Sequence, residues 1–176
     1  MFAPIRYTYL MQQIVLIAHD IRSTHNVGSL LRTAECLGVK HVYFTGYTPY
    51  PITTTDQRLP HIAAKLTKQI EKTSLGTQAM IEWSHEDDID LLLAELKTQG
   101  FRIVGLEQNK TSIILDRYAS PEKVALLIGR EVEGIARELL EKCDELIEIP
   151  QSGKKESLNV VQATAIALYH LLIVSR

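Results

Sequence analysis

IEIPQSGKKESLNVVQATAIALYHLLI, residues 147–173, sets a short apolar run against a polar loop and then against a helix that is apolar on nearly every side. The run ELIEIP reads as a strand that stops at Pro150, because proline cannot continue a ladder. Gly153 and Lys154-Lys155 mark a loop, and Ser157-Leu158-Asn159 opens a helix predicted over about 157–174. Val160, Val161, Ile166, Leu168, Leu171 and Leu172 leave that helix little surface for water. It is therefore expected to bury one face in its own fold and another against a partner subunit. The polar loop ahead of it lies where open α/β sheets bind ligands, at the carboxyl end of a strand.

Strand and helix patterns alternate upstream in the same way. QIVLIA (13–18), HVYFTG (41–46), AMIEW (79–83), FRIVGLE (101–107) and VALLIG (124–129) read as strands,. Helices are predicted over 26–38, 60–72, from the SHED segment to Gly100, and over about 135–142. Asn26 is read as the N-cap of the first helix and Gly38 as its stop. Ser84 is read as the cap of the third, with Asp87 three residues on. This order predicts an α/β fold, a mainly parallel sheet flanked by helices. No repeat or Pro/Gly-rich linker divides the chain, so one domain is expected over 13–176, with residues 1–12 as an N-terminal extension.

Composition narrows the class. The chain has 176 residues, 45% hydrophobic and 23% charged, which suits one globular core,. No stretch reaches the roughly 18 uninterrupted apolar residues of a membrane span, and no targeting signal is evident. Cys36 and Cys143 provide no disulfide framework or metal-ligand spacing, so they are read as small packing residues in a reduced, cytoplasmic setting,. His19, Asp20 and His25 match no standard metal spacing, and no metal is expected. Net charge is −2, but residues 1–72 carry +4 and residues 73–176 carry −6. An anionic partner is expected on the N-terminal part.

Three strand ends lead into unusual polar loops: HDIRSTHN, GREVEG and PQSGKKES. On the helix after the first, Val27, Leu30, Leu31, Ala34 and Leu37 form one stripe and Arg32 points away from it. Arg32 is either a solvated arginine or a contact to phosphate or hydroxyl. Gly28 lowers helix propensity and is read as room for close approach to the backbone. In the second loop the phosphate-binding glycine fingerprints are absent. Glu131 suits a ribose hydroxyl, a cationic group, a neighbouring arginine, or simply the first turn of a helix. On the 60–72 helix Lys65, Lys68 and Lys72 share a face distinct from Ile62, Leu66 and Ile70,. That face is either solvated or an RNA contact, with Arg22 and Arg58 as further candidates.

Taken in order, these loops resemble the signature of the SpoU/TrmH family of RNA ribose 2′-O-methyltransferases, within the SPOUT superfamily. Asn26, Gly28 and Arg32 resemble its N-x-G-x-x-x-R element, and Gly129, Glu131 and Gly134 its G-x-E-x-x-G element. Ile149, Pro150, Gly153, Ser157, Leu158, Asn159 and Val160 resemble its I-P-x-x-G…S-L-N-V element. The match spans about 13–174. Gln151 departs from the family's usual methionine and Arg130 from its frequent asparagine.

The resemblance implies a C-terminal deep trefoil knot and a homodimer through the C-terminal helix, with the active site at the interface. It implies S-adenosylmethionine held by Leu127, Ile128, Gly129, Ile149, Gln151, Gly153, Ser157 and Leu158. It implies catalytic roles for Asn26, Arg32, Glu131, Ser157 and Asn159, with structured tRNA or rRNA as substrate. A guanidinium is a poor general base, so Arg32 is expected to grip RNA phosphate and polarise the 2′-hydroxyl. The alternative is a catalytically silent RNA-binding or assembly protein that keeps the fold. An ordinary enzyme for a phosphorylated small molecule is disfavoured by the missing phosphate fingerprints.

Overall fold

The structure, a computed structural model, describes residues 12–175, so the expected 1–12 extension falls, apart from Gln12, outside the described residues. β1 (Gln13–His19) is apolar from Ile14 to Ala18 because both of its faces are covered there,. Ile14, Leu16 and Ala18 enter one core, and Val15 and Ile17 the other, with the period of two of an extended chain. α1 (Thr24–Leu37), β2 (His41–Thr45) and α2 (Pro60–Ser74) follow. Then come β3 (Trp83–Glu86), α3 (Ile89–Thr98), β4 (Arg102–Leu106) and a two-residue β5 (Ile113–Ile114). β6 (Lys123–Ile128), α4 (Arg137–Leu140), β7 (Glu145–Glu148) and α5 (Val160–Tyr169) complete the described chain.

The strands form one sheet in the order β3-β2-β1-β6-β4-β7-β5, and every neighbouring pair is parallel. On one face Val27, Leu30, Leu31 and Ala34 of α1 pack with Ala167, Leu168, Leu171 and Leu172 at the end of the chain. On the other, Leu92, Leu93 and Leu96 of α3 pack with Phe101, Ile135 and Leu139. The chain after β7 returns to the first face, where α5 lies beside α1. A π-helical stretch, His170–Val174, extends α5. There His170 Nε2 and Ser175 Oγ both donate to the Tyr118 carbonyl, at 3.1 and 2.9 Å.

Several local expectations change. Ser23, not Asn26, caps α1: its Oγ accepts from Asn26 N at 3.2 Å. Gly38 does end the helix, in the left-handed conformation. The third strand begins only at Trp83, the last residue of AMIEW, because Thr77–Ala79 form a 3-10 turn and Trp83–Glu86 pair with β2 in register Val42↔Trp83. Ser84 is therefore in a strand, and Asp88 caps α3 by accepting from Asp90 N and Leu91 N. α5 starts at Val160, with Asn159 as its cap. On α2 the buried residues are Ala63, Ile70 and Ser74, while Ile62 is exposed. Cys36 is exposed rather than packed.

Gly28 has a structural cause. A Cβ there would overlap Thr73 Oγ1 and the Ile70 carbonyl oxygen and stand 2.9 Å from Ser74 N. The glycine lets α1 and α2 touch backbone to backbone, so it serves helix packing and not ligand approach.

Candidate active site

The parallel order places the carboxyl ends of β6, β4 and β7 side by side, and a cleft of about 450 Å³ opens between them and the start of α5. Leu106, Ile128, Ile149, Leu158, Val160 and Ala163 supply apolar walls. Glu107, Glu131, Glu133, Glu148 and Glu156 face it against a single cation, Arg130. Such a cleft takes a flat apolar group and favours positive charge on its ligand. Its lining contains no histidine, cysteine or lysine.

The second polar loop is a closed turn and not a helix start. Arg130 N donates to Gly134 O at 3.1 Å, and Gly134 N donates back to Arg130 O at 3.2 Å. Gly134 has φ 70°, the left-handed region that favours glycine,. A Cβ on Gly129 would stand 2.6 Å from Gly134 O, so only glycine fits beneath the turn. Glu107, at the end of β4, holds the turn from below, accepting from Ile135 N at 2.8 Å through Oε2. Glu131 is left exposed at the tip.

Asn26 reaches that tip. Ser23 caps the helix, and Asn26 Nδ2 donates to Glu131 Oε1 at 2.6 Å. One hydrogen bond thus joins the first and second motifs across 105 positions.

Of the residues expected to hold cofactor, Ile128, Gly129, Ile149, Gln151, Ser157 and Leu158 line the cleft. Leu127 does not: its side chain is fully buried in the α3-side core. Gly153 is exposed, with open space around it. Of the catalytic candidates, Glu131 and Ser157 line the cleft and Asn26 bonds to Glu131. Asn159 caps α5 through Oδ1, 2.9 Å from Val161 N. Arg32 is exposed on α1, outside the cleft lining of its own chain.

Lys65, Lys68, Lys72 and Arg22 are exposed. Arg58 is committed elsewhere. It pairs with Asp56, donates to Tyr50 O at 2.9 Å and Pro51 O at 3.2 Å, and stacks 3.6 Å from the Tyr50 ring centroid. It clamps the 47–59 loop.

Sequence reasoning missed Glu107 and Tyr47 and gave Asp20 no role beyond a dismissed metal set. Asp20 has φ 58° and is 7% exposed. Its Oδ2 accepts from Arg130 Nη2 at 2.9 Å and Nε at 3.2 Å, while Oδ1 accepts from Tyr47 N at 3.1 Å. Beside it, burial lowers the His19 pKa below 6.5, against the raising pull of Asp20. No group of three or more His, Cys, Asp or Glu among the described residues is placed to hold a metal ion. No helix among them is long and apolar enough to cross a membrane.

The SpoU rRNA Methylase family matches residues 13–169. The chain is 27% identical over 158 residues to the tRNA (guanosine(18)-2′-O)-methyltransferase of Aquifex aeolicus, covering 90% of this chain and 68% of that protein. It is 28% identical over 159 residues to the mouse tRNA (guanosine(18)-2′-O)-methyltransferase TARBP1, covering 90% of this chain and 9% of that protein. The chain thus spans two thirds or far less of the length of these relatives. Its fold superposes with a TM-score of 0.74 on the AdoMet-bound rRNA methyltransferase from Sinorhizobium meliloti, 22% identical, over 93% of this chain and 57% of that one. A match across nearly every described element, with the three motif loops gathered at the carboxyl end of the sheet, makes this chain a member of the SpoU rRNA Methylase family.

Proposed function

We propose that this chain transfers a methyl group from S-adenosylmethionine to a ribose 2′-hydroxyl of tRNA or rRNA. The observation that carries the reading is the Asn26–Glu131 hydrogen bond, which fastens the first motif to the mouth of the cleft formed by the other two. The lining fits the cofactor: apolar walls for an adenine and glutamates for a cationic sulfonium and ammonium. When bound, that cofactor supplies a methyl carbon already activated on a positive sulfur. The chain's residues supply alignment and a more reactive hydroxyl. Backbone groups at Gly129 and Ile149, with Gln151, Ser157 and Leu158, hold the cofactor. Glu131, fixed by Asn26, orients the ribose hydroxyl. Asn159 fixes the loop by capping α5.

Arg32 grips the RNA phosphate and polarises the 2′-hydroxyl, whose proton leaves to phosphate or water. Its place outside its own chain's cleft supports a site shared across a homodimer. α5 and the π-helical stretch after it leave Ile166, Tyr169 and Val174 exposed at 45%, 52% and 55%, an apolar surface that fits a second copy,. The return of the chain after β7 to lie beside α1, anchored at Tyr118, supports the trefoil knot. Lys65, Lys68 and Lys72, with Arg22, are the RNA-facing cations, and Arg58 shapes the loop beside them.

Calorimetry with S-adenosylmethionine tests the cofactor, and labelled methyl transfer to total tRNA and rRNA, with mapping of 2′-O-methyl sites, tests the reaction. Binding followed by transfer is the expected result. Absence of cofactor binding would favour the silent RNA-binding reading.

A further inference from the structure

The carboxyl ends of β2, β1 and β6, adjacent in the sheet, build a second feature beside the cleft. Tyr47 follows β2 and is 47% exposed, yet its backbone is anchored. Its N–H donates to Asp20 Oδ1 at 3.1 Å. The next residue, Thr48, donates through Oγ1 to Ala18 O and accepts from Ile21 N, both at 3.0 Å. Gly46 has φ 64°, and a Cβ there would overlap Asp20 Oδ1. The fold thus fixes the backbone and leaves the ring outside, the opposite of what core packing requires.

Two guanidiniums flank that ring. Arg130 lies 5.8 Å and Arg22 5.7 Å from its centroid, within cation–π range. Arg130 is held by both of its bonds to Asp20 Oδ2, so one buried carboxylate sets the ring's backbone and one of its flanking cations. The positive φ of Asp20 is strained for a residue with a side chain, and such strain persists where the surroundings over-determine it. Arg22 has no carboxylate within ion-pair distance among the described residues. Glu133 is felt electrostatically by both arginines and pairs with neither. Arg130 also lines the cleft, so the ring and the cleft share a wall.

We propose that Tyr47, with Arg22 and Arg130 beside it, is a stacking platform for one unpaired nucleobase of the RNA substrate, and that Asp20 is its positioning residue. The inference rests on the methyl-transfer reading, since it takes the cleft as the place where the target ribose arrives. An exposed aromatic ring flanked by guanidinium planes is the chemistry that holds a splayed-out base. Stacking on one aromatic side chain contributes about 1–3 kcal/mol per base, which is roughly a 5- to 150-fold change in affinity.

The test is filter binding of total tRNA and total rRNA to the full chain at fixed salt, with calorimetry for S-adenosylmethionine on the same preparations. Tyr47→Ala is expected to weaken RNA binding about fivefold or more and to leave cofactor affinity as it was. Tyr47→Phe, which keeps the ring, restores RNA binding to about the wild-type value. Equal RNA affinity of Tyr47→Ala and wild type overturns the platform and leaves methyl transfer standing. Wild type that binds RNA but no cofactor overturns methyl transfer while the comparison of variants still decides the platform. Wild type that binds neither RNA overturns both.

Discussion

Asn26 holds Glu131 because a neighbour has taken over its expected task. The sequence HNVG invites an asparagine cap, but Ser23 stands one turn earlier and accepts the Asn26 N–H itself. The Asn26 side chain turns instead to the second motif, where its Nδ2 donates to Glu131. Hydrogen bonds to a charged group contribute about 1.5–3 kcal/mol. Asn26→Asp would replace the donor by a second carboxylate against Glu131. It is expected to slow single-turnover methyl transfer by about 10- to 100-fold at pH 7 while S-adenosylmethionine binding, read by calorimetry, changes little. Transfer at the wild-type rate would remove Glu131 orientation from the mechanism. The segments that meet at the cleft were legible because their residue types and spacing are unusual: a glycine pair around Glu131, and a polar loop before an apolar helix. Asp20, Tyr47 and Glu107 were not. Each acts through partners from another strand end, and nothing local marks an aspartate that will adopt φ 58° or a tyrosine that will stay outside.

Elements were legible where both faces of a strand are covered and obscure where one is an edge. β1 and β6 announce themselves as continuous apolar runs because helices cover both sides of the sheet,. β3 is an edge strand reading WSHE, and its pairing to β2 overrides a sequence preference that favours AMIEW,. Met80, inside the expected strand, is 70% exposed. At the α1–α2 contact, Gly28→Ala sets helix propensity against packing. The alanine gains about 1 kcal/mol in propensity, but its methyl would meet backbone atoms of α2 that cannot step aside. Overpacking of this kind costs about 1–3 kcal/mol. The variant is expected to unfold at lower urea concentration than wild type, with an unchanged slope. A higher midpoint would mean that the two helices separate freely.

Over the whole molecule, two half-buried histidines are expected to contribute to the pH dependence of stability. Burial lowers the pKa of His19 and of His41 below 6.5, and the nearby carboxylates only partly offset it. A histidine with a lowered folded-state pKa binds fewer protons than the same residue unfolded. Its stabilising contribution is complete above about pH 6.5 and is lost as the pH falls through the folded value. The urea midpoint is therefore expected to fall between pH 7 and pH 5. A His19→Gln, His41→Gln double variant is expected to fall less steeply, and an equal slope would place the dependence elsewhere. The strand–helix alternation predicted the parallel sheet, but not the order of strands within it. Order depends on which distant segments bury the most surface together, a quantity that no short window contains.

That order carries a consequence for how the protein is made. The central pair of the sheet joins Gln13 to Lys123 and continues to Ala18 and Ile128, so the first strand waits for a partner more than a hundred residues behind it. During synthesis β1, β2 and β3 can assemble with α1 and α2 as a half-sheet with one bare apolar edge at β1. Sequence-distant pairings of this kind fold slowly and expose sticky strands in the interval. A ribosome that pauses before Ile128 emerges would hold that edge open until β6 arrives to close it.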